Sequence, residues 1–176
     1  MPLFDTVADL AQGAETLRRR PYGVIEAVEG RFQRVLLRPL PKIASLPDIR
    51  LIGGWRHRRR PGDRIRLYYN QPRRCGNFLV LKYAESARNT SLGTLSRALA
   101  VLDEIARLKG SDALLCDAAN QRITAELLGR WGWEPYCPSR WHRHFIKRFY
   151  GEYPLPPGWL YASAGGGGFM LETAAG

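Results

Sequence analysis

The 176-residue chain has little cysteine, lysine or methionine. Cys75, Cys116 and Cys137 are too few and too scattered for a disulfide framework. Their separations from His57, His142 and His144 fit no zinc-binding pattern, so no metal is expected. No stretch approaches the roughly 18 uninterrupted apolar residues of a membrane span. The opening segment, MPLFDTVADLAQGAETLRRR, has acids early and bases late with no apolar run between them, the reverse of a secretory leader. Internal repeats are absent. Together these absences lead to the expectation of a cytoplasmic protein in a reducing compartment.

What is present is a large excess of positive charge. Basic residues number 27 and acidic residues 16, a net +11 with pI ≈ 10.1. Lysine occurs only at Lys42, Lys82, Lys109 and Lys147, so the cations are nearly all arginine. Such a charge attracts polyanions, although a genome rich in arginine codons produces the same composition. Two clusters stand out. One is Arg18-Arg19-Arg20. The other is Arg56, His57, Arg58, Arg59 and Arg60, beside Trp55 and followed by the turn residues Pro61-Gly62-Asp63. This second cluster reads either as a solvated loop or as a patch for nucleic acid or another polyanion.

The length suits one domain, with 45% hydrophobic and 24% charged residues, ordinary for a globular core. Phe4, Val7, Leu10, Ala11, Ala14 and Leu17 recur at three and four, which predicts an amphipathic helix over 4–20, weakened by Gly13 and stopped by Pro21. VIEAV and FQRVLLR flank Glu29-Gly30 and predict a hairpin. Three prolines in 39–48 mark a loop or crossover. IRLIGGW, RIRLYYN and NFLVLKYA are further strand candidates.

The second half changes character. SLGTLSRALAVLDEIARLKG carries Leu92, Leu95, Leu99, Leu102 and Ile105 on one stripe, with Thr90 or Ser91 to cap its start and Gly110 to close it. ALLCDA is apolar without alternation, as in a strand buried on both faces. QRITAELLGRWG predicts a second helix, and WEPYC with WHRHFIKRFY a closing hairpin. After Tyr150 the pattern fails, and PLPPGW and AGGGGF predict a loose tail. The order implies a mixed α+β fold, a mostly antiparallel sheet with one parallel crossover through the long helix.

Residues 76–150 resemble the core of the GNAT acyltransferases, which move an acyl group from coenzyme A to an amine. In that family Gln or Arg, two residues, Gly, one residue, then Gly or Ala lie between a strand and a long helix. Here Arg88 takes the first position and Gly93 the last, with Ser91 in place of the middle glycine. Asn120 and the pair Gly132-Trp133 match the next signature. The resemblance implies a single GNAT-like domain over 1–150, with 151–176 as a tail, and acetyl-CoA or another acyl-CoA as cosubstrate. It implies a donor site of Leu81, Arg88, Ser91, Leu92, Gly93, Thr94 and Asn120. Backbone amides at a helix start hold phosphate oxygens, Arg88 and Arg97 add charged contacts, and the amide near Leu81 faces the oxyanion.

The attacking amine must lose a proton, and Glu85, just past the strand before the loop, is the candidate base. His142 and His144 are the runners-up. A departure from the family pattern falls at Leu128, where members often carry a tyrosine that protonates the leaving thiolate; Tyr136 is near in sequence with nothing specific to support it. Cys116, inside an apolar strand, reads as a small core residue. A non-catalytic domain of the same fold that binds nucleic acid through Arg56, Arg58, Arg59 and Arg60 is the alternative.

Overall fold

The computed structural model describes residues 5–40, 62–118, 123–137 and 143–161. In chain order these form β1 (Asp5–Val7), α1 (Ala14–Arg19), β2 (Tyr22–Val28), β3 (Arg31–Arg38), β4 (Arg64–Asn70), β5 (Phe78–Ser86), α2 (Leu92–Lys109), β6 (Ala113–Asp117), α3 (Ala125–Gly129), β7 (Glu134–Pro135) and β8 (His144–Arg148). A short 3-10 turn, Gly158–Leu160, follows.

One eight-stranded sheet runs β1-β3-β2-β4-β5-β6-β8-β7. Its one parallel pair among the described residues is β5 with β6, joined through α2. The fold is therefore mixed α+β, mostly antiparallel with a single crossover, as the element order predicts. The candidate strand IRLIGGW, the cluster Arg56–Arg60 and most of the proline-rich stretch lie outside the described residues.

The β2–β3 hairpin turns at Glu29 (φ 50) and Gly30 (φ 69). Two successive positive φ values match the twist of the flanking strands, which is why a glycine stands at the second position. β2 lies between β3 and β4, and Tyr22 to Ala27 are all buried. Gly23 is required at its position: a Cβ there would fall 2.5–2.7 Å from atoms of the Tyr69 side chain, which lies across it.

α2 buries Ala98, Leu99, Val101, Leu102, Ile105 and Ala106 against the sheet. Each fully buried aliphatic side chain contributes about 2 kcal/mol. Gly110 (φ 63) ends the helix in the left-handed region, its amide donating to the Ala106 carbonyl. The C-terminal ends of α1 and α2 cap one another. Arg18 Nε donates to the Leu108 carbonyl at 3.1 Å, while Lys109 Nζ donates to the carbonyls of Arg18 (3.2 Å) and Arg20 (2.9 Å). Each cation thus meets the negative end of the other helix.

The N-terminal expectation fails in part. The chain forms β1, then a turn, and only then a helix. Asp9 accepts from the amides of Ala11 and Gln12 through its carboxylate, and its carbonyl accepts from Gly13. A Cβ on Gly13 would collide with Val7, so the glycine is where the turn folds over the strand. Val7, Leu10 and Leu17 are buried as the periodicity predicts, but from three different local conformations. The predicted helix over 121–132 is shorter too: α3 begins at the Thr124 cap and ends at Gly129.

The tail is also less loose than its composition predicts. Leu160 is buried, and Tyr153 donates to the Ser111 carbonyl at 2.9 Å. Residues 151–161 therefore pack on the core, held by Tyr153, Trp159, Leu160 and Tyr161 on either side of the prolines.

Candidate functional site: the open edge of β5

β5 carries an irregularity at its middle. Tyr68 of β4 opposes Tyr83 and Tyr69 opposes Leu81, so Lys82 is the extra residue of a bulge. The parallel ladder with β6 covers only Phe78↔Ala113 to Leu81↔Cys116. Beyond it, Asp117 pairs with His144 of β8, and among the described strands Tyr83 to Ser86 have β4 as their ladder partner. The sheet therefore opens between β5 and β6 directly after Leu81. Ala84 opposes the fully buried Leu67 yet is itself exposed, which marks where the α2 side of the sheet loses its cover.

The first turn of α2 follows β5 closely in sequence. Ser91 caps it, its hydroxyl accepting from the Thr94 amide at 3.1 Å. Asp63, the residue before β4, closes the cap. Its carboxylate accepts from the Ser91 amide (2.9 Å), the Ser91 hydroxyl (2.7 Å) and the Thr94 hydroxyl (2.7 Å). Burial alone would raise the Asp63 carboxyl, but these hydrogen bonds outweigh it and hold the group below its ordinary value. The Gly30 amide donates to Thr94 Oγ1 at 2.7 Å, tying the β2–β3 turn to the same node.

The sequence-predicted donor residues thus divide. Thr94 is fully buried and committed to the fold, and the Ser91 amide is taken by Asp63. This departs from the expectation that every amide from Ser91 to Thr94 is open to an anion. Leu92 and Gly93 are exposed and supply the remaining donors of the first turn. A Cβ on Gly93 would touch only the Ser91 hydroxyl, at 3.7 Å, so the fold does not require glycine there. Arg88 is exposed in the turn before the helix, and Leu81 packs against the core at the last rung of the β5–β6 ladder. Asn120 lies outside the described residues.

Glu85 stands on the other face of the sheet. It opposes Arg66, and Tyr68 donates to it at 3.4 Å. Around it a row of alternating charge crosses four strands: Arg34, Glu26, Arg66, Glu85. Glu26 is buried, with Arg34 Nε at 2.7 Å and Arg66 Nε at 2.6 Å. Burial raises the Glu26 carboxyl, but the Arg34 hydrogen bond and the Arg66 charge together bring it below the usual carboxylate range. Burial, and then the Glu85 charge, push the Tyr68 hydroxyl up, so it remains a proton donor to the carboxylate near neutral pH.

Similarity to known proteins is slight. No family model matches the chain. No curated protein matches it. Among solved structures, the crystal structure of nourseothricin acetyltransferase is similar over 84% of this chain and 99% of that one, with 12% identity and a TM-score of 0.40.

Other candidates take ordinary structural places. Burial, and then the Asp117 charge, push the Cys116 thiol up to about 12, so it is no thiolate nucleophile near neutral pH. Leu128 is buried in the core and carries no proton. His142 lies outside the described residues, and His144 opposes Asp117 on β8. Among the described residues no three metal-ligating side chains converge. No described helix is long and apolar enough to cross a membrane. The triple arginine is engaged locally: Arg18 with Leu108, Arg19 with Glu15 at 3.0 Å, and Arg20 with Asp5 at 2.6 Å.

Sequence reasoning missed Asp63, the Lys82 bulge and Tyr68. Pro61-Gly62-Asp63 reads as a turn, and only the fold brings that acid to a helix 28 residues later. The bulge has a faint signal, a lysine inside an otherwise apolar and aromatic strand. Tyr68 is marked only by its alternation with Leu67 and Tyr69.

Proposed function

We propose that the chain is an acyl-CoA-dependent N-acyltransferase, with acetyl-CoA as the donor and an amine as the acceptor. The observation that carries this reading is the opening of β5 from β6 immediately after the Lys82 bulge, between the first turn of α2 and Glu85. An amide-bearing arm of the donor suits the stretch of β5 after Leu81, where the β5–β6 ladder ends. The donor's phosphates suit the first-turn amides of Leu92 and Gly93, with Arg88 and Arg97 supplying charge. Asn120 joins this set from the sequence pattern.

In the reaction the amine nitrogen attacks the thioester carbonyl carbon. The C–N bond forms, the C–S bond breaks, and the coenzyme thiolate leaves. Glu85, directly or through one water, takes the proton that the nitrogen loses. The backbone amide near Leu81 donates to the oxyanion. With leucine at 128, the thiolate takes its proton from solvent.

Calorimetric titration with acetyl-CoA, and with desulfo-CoA alongside, tests the donor site. Saturable micromolar binding is expected, and silence up to millimolar concentration excludes the reading. An acceptor screen follows, in which Glu85→Gln is expected to lower kcat by about a hundredfold while leaving the acetyl-CoA affinity unchanged.

A further inference from the structure

The segment after β8 runs along the outer surface of α2. Tyr153 bonds the Ser111 carbonyl, just past the helix's C-terminal end. Tyr161 bonds Glu104, and Arg107 holds the same carboxylate through two nitrogens, at 2.8 and 2.6 Å. Leu160 is buried between them. Between these, Trp159 meets Arg97, whose guanidinium carbon lies 4.1 Å from the indole ring centroid. In chain order Tyr153 touches Ser111, Trp159 reaches back to Arg97 in the second turn of α2, and Tyr161 returns to Glu104.

Arg97 differs from the other arginine of this helix. Arg107 is paired with a carboxylate, whereas Arg97 has a ring face as its contact and no carboxylate beside it among the described residues. Stacking covers one face of a guanidinium and leaves its in-plane N–H donors pointing outward. Arg97 is four residues past Gly93, in the same row of the helix. Helical side chains lean toward the N-terminus, so this one leans toward the turn that carries Gly93.

We infer that Trp159 is a positioning residue of the donor site: it holds the Arg97 guanidinium beside the first turn of α2 as the anchor for a phosphate of the donor. This rests on the acyltransferase reading and extends it, because it makes the C-terminal strap part of the donor site. A stacked arginine keeps its planar fork oriented before the anion arrives, and that orientation is what a free side chain on a helix surface lacks.

The test uses full-length protein, titrated by calorimetry with acetyl-CoA and separately with inorganic pyrophosphate. Arg97→Gln removes the charge, Arg97→Lys keeps the charge without the planar fork, and Trp159→Leu keeps an apolar side chain in the strap without the ring. Circular dichroism confirms that each variant folds. Arg97→Gln and Trp159→Leu are each expected to raise the acetyl-CoA Kd about tenfold, as loss of a charged phosphate contact does. The double variant is expected to be no worse than Arg97→Gln alone, because both changes remove one interaction. Arg97→Lys is expected to recover only part of the affinity.

Wild-type affinity in both single variants, or effects that add, overturns the role of Trp159 while leaving the acyltransferase reading in place. If wild-type protein fails to bind acetyl-CoA, that reading falls and pyrophosphate decides the anchor: binding that needs Arg97 and Trp159 supports it, and its absence overturns it.

Discussion

The two halves of β5 belong to one strand and do different work. Phe78 to Leu81 are in register with β6, and Leu79 is completely buried. Tyr83 to Ser86 lie in register with β4, and there the strand sets an exposed alanine among groups that bear polar atoms. One inserted residue, Lys82, separates the two. The first half is built for stability, with apolar side chains between paired neighbours. The second half lies beyond the end of the β5–β6 ladder. A sheet that closed along its whole length would be more stable and would have no opening beside α2.

The largest expected effect lies in the closed half. Leu79→Ala empties a fully buried site and should destabilise the protein by about 3 kcal/mol in urea unfolding. A loss under about 1 kcal/mol would mean that this half is not the support it appears to be from its burial. Gly23→Ala should follow at about 2 kcal/mol, because the new methyl meets the Tyr69 ring.

An intermediate effect is expected where the halves meet the helix. Asp63→Ala should cost about 1 kcal/mol at pH 7 by removing the second acceptor of the α2 cap. The wild-type carboxyl is depressed below its ordinary 3.8 in the folded state. Its contribution is therefore complete above that value and is lost as the pH falls through the lower folded value. The gap between wild type and variant should begin to narrow only below about pH 4 and close as the folded carboxyl protonates, and a gap that stays constant well below that range would show that Asp63 acts without its charge.

The smallest effect on the fold is expected at the open end. Gly93→Ala meets only the Ser91 hydroxyl at 3.7 Å and should leave unfolding within about 0.5 kcal/mol of wild type. It should nonetheless weaken acetyl-CoA binding, since the methyl stands where phosphate oxygens approach the backbone. Unchanged affinity in this variant would separate the glycine from the donor site.

Much of the fold was legible because local chemistry and tertiary position agree. Glu29-Gly30 supplies the turn that two twisted strands need, Ser91 and Gly110 bracket the long helix, and ALLCDA opens apolar because Ala113 and Leu114, on opposite faces of β6, are both buried. The N-terminus misled because Val7, Leu10 and Leu17 bury themselves with helical spacing while Asp9 and Gly13 make a turn between them. The site was legible only in part. The run from Arg88 to Gly93 and the position of Glu85 are local, and they were visible. Asp63 reaches Ser91 and Trp159 reaches Arg97 across long stretches of chain, and a bulge depends on a neighbouring strand that the sequence does not display.

The most direct measurement is amide hydrogen exchange on the full-length protein, with and without saturating acetyl-CoA. The account predicts new protection at Lys82 to Ser86 and at Leu92 and Gly93, with Phe78 to Val80 unchanged because those residues are already paired. No change at 82–86 and 92–93 in acetyl-CoA, whether protection appears elsewhere or nowhere, would contradict it.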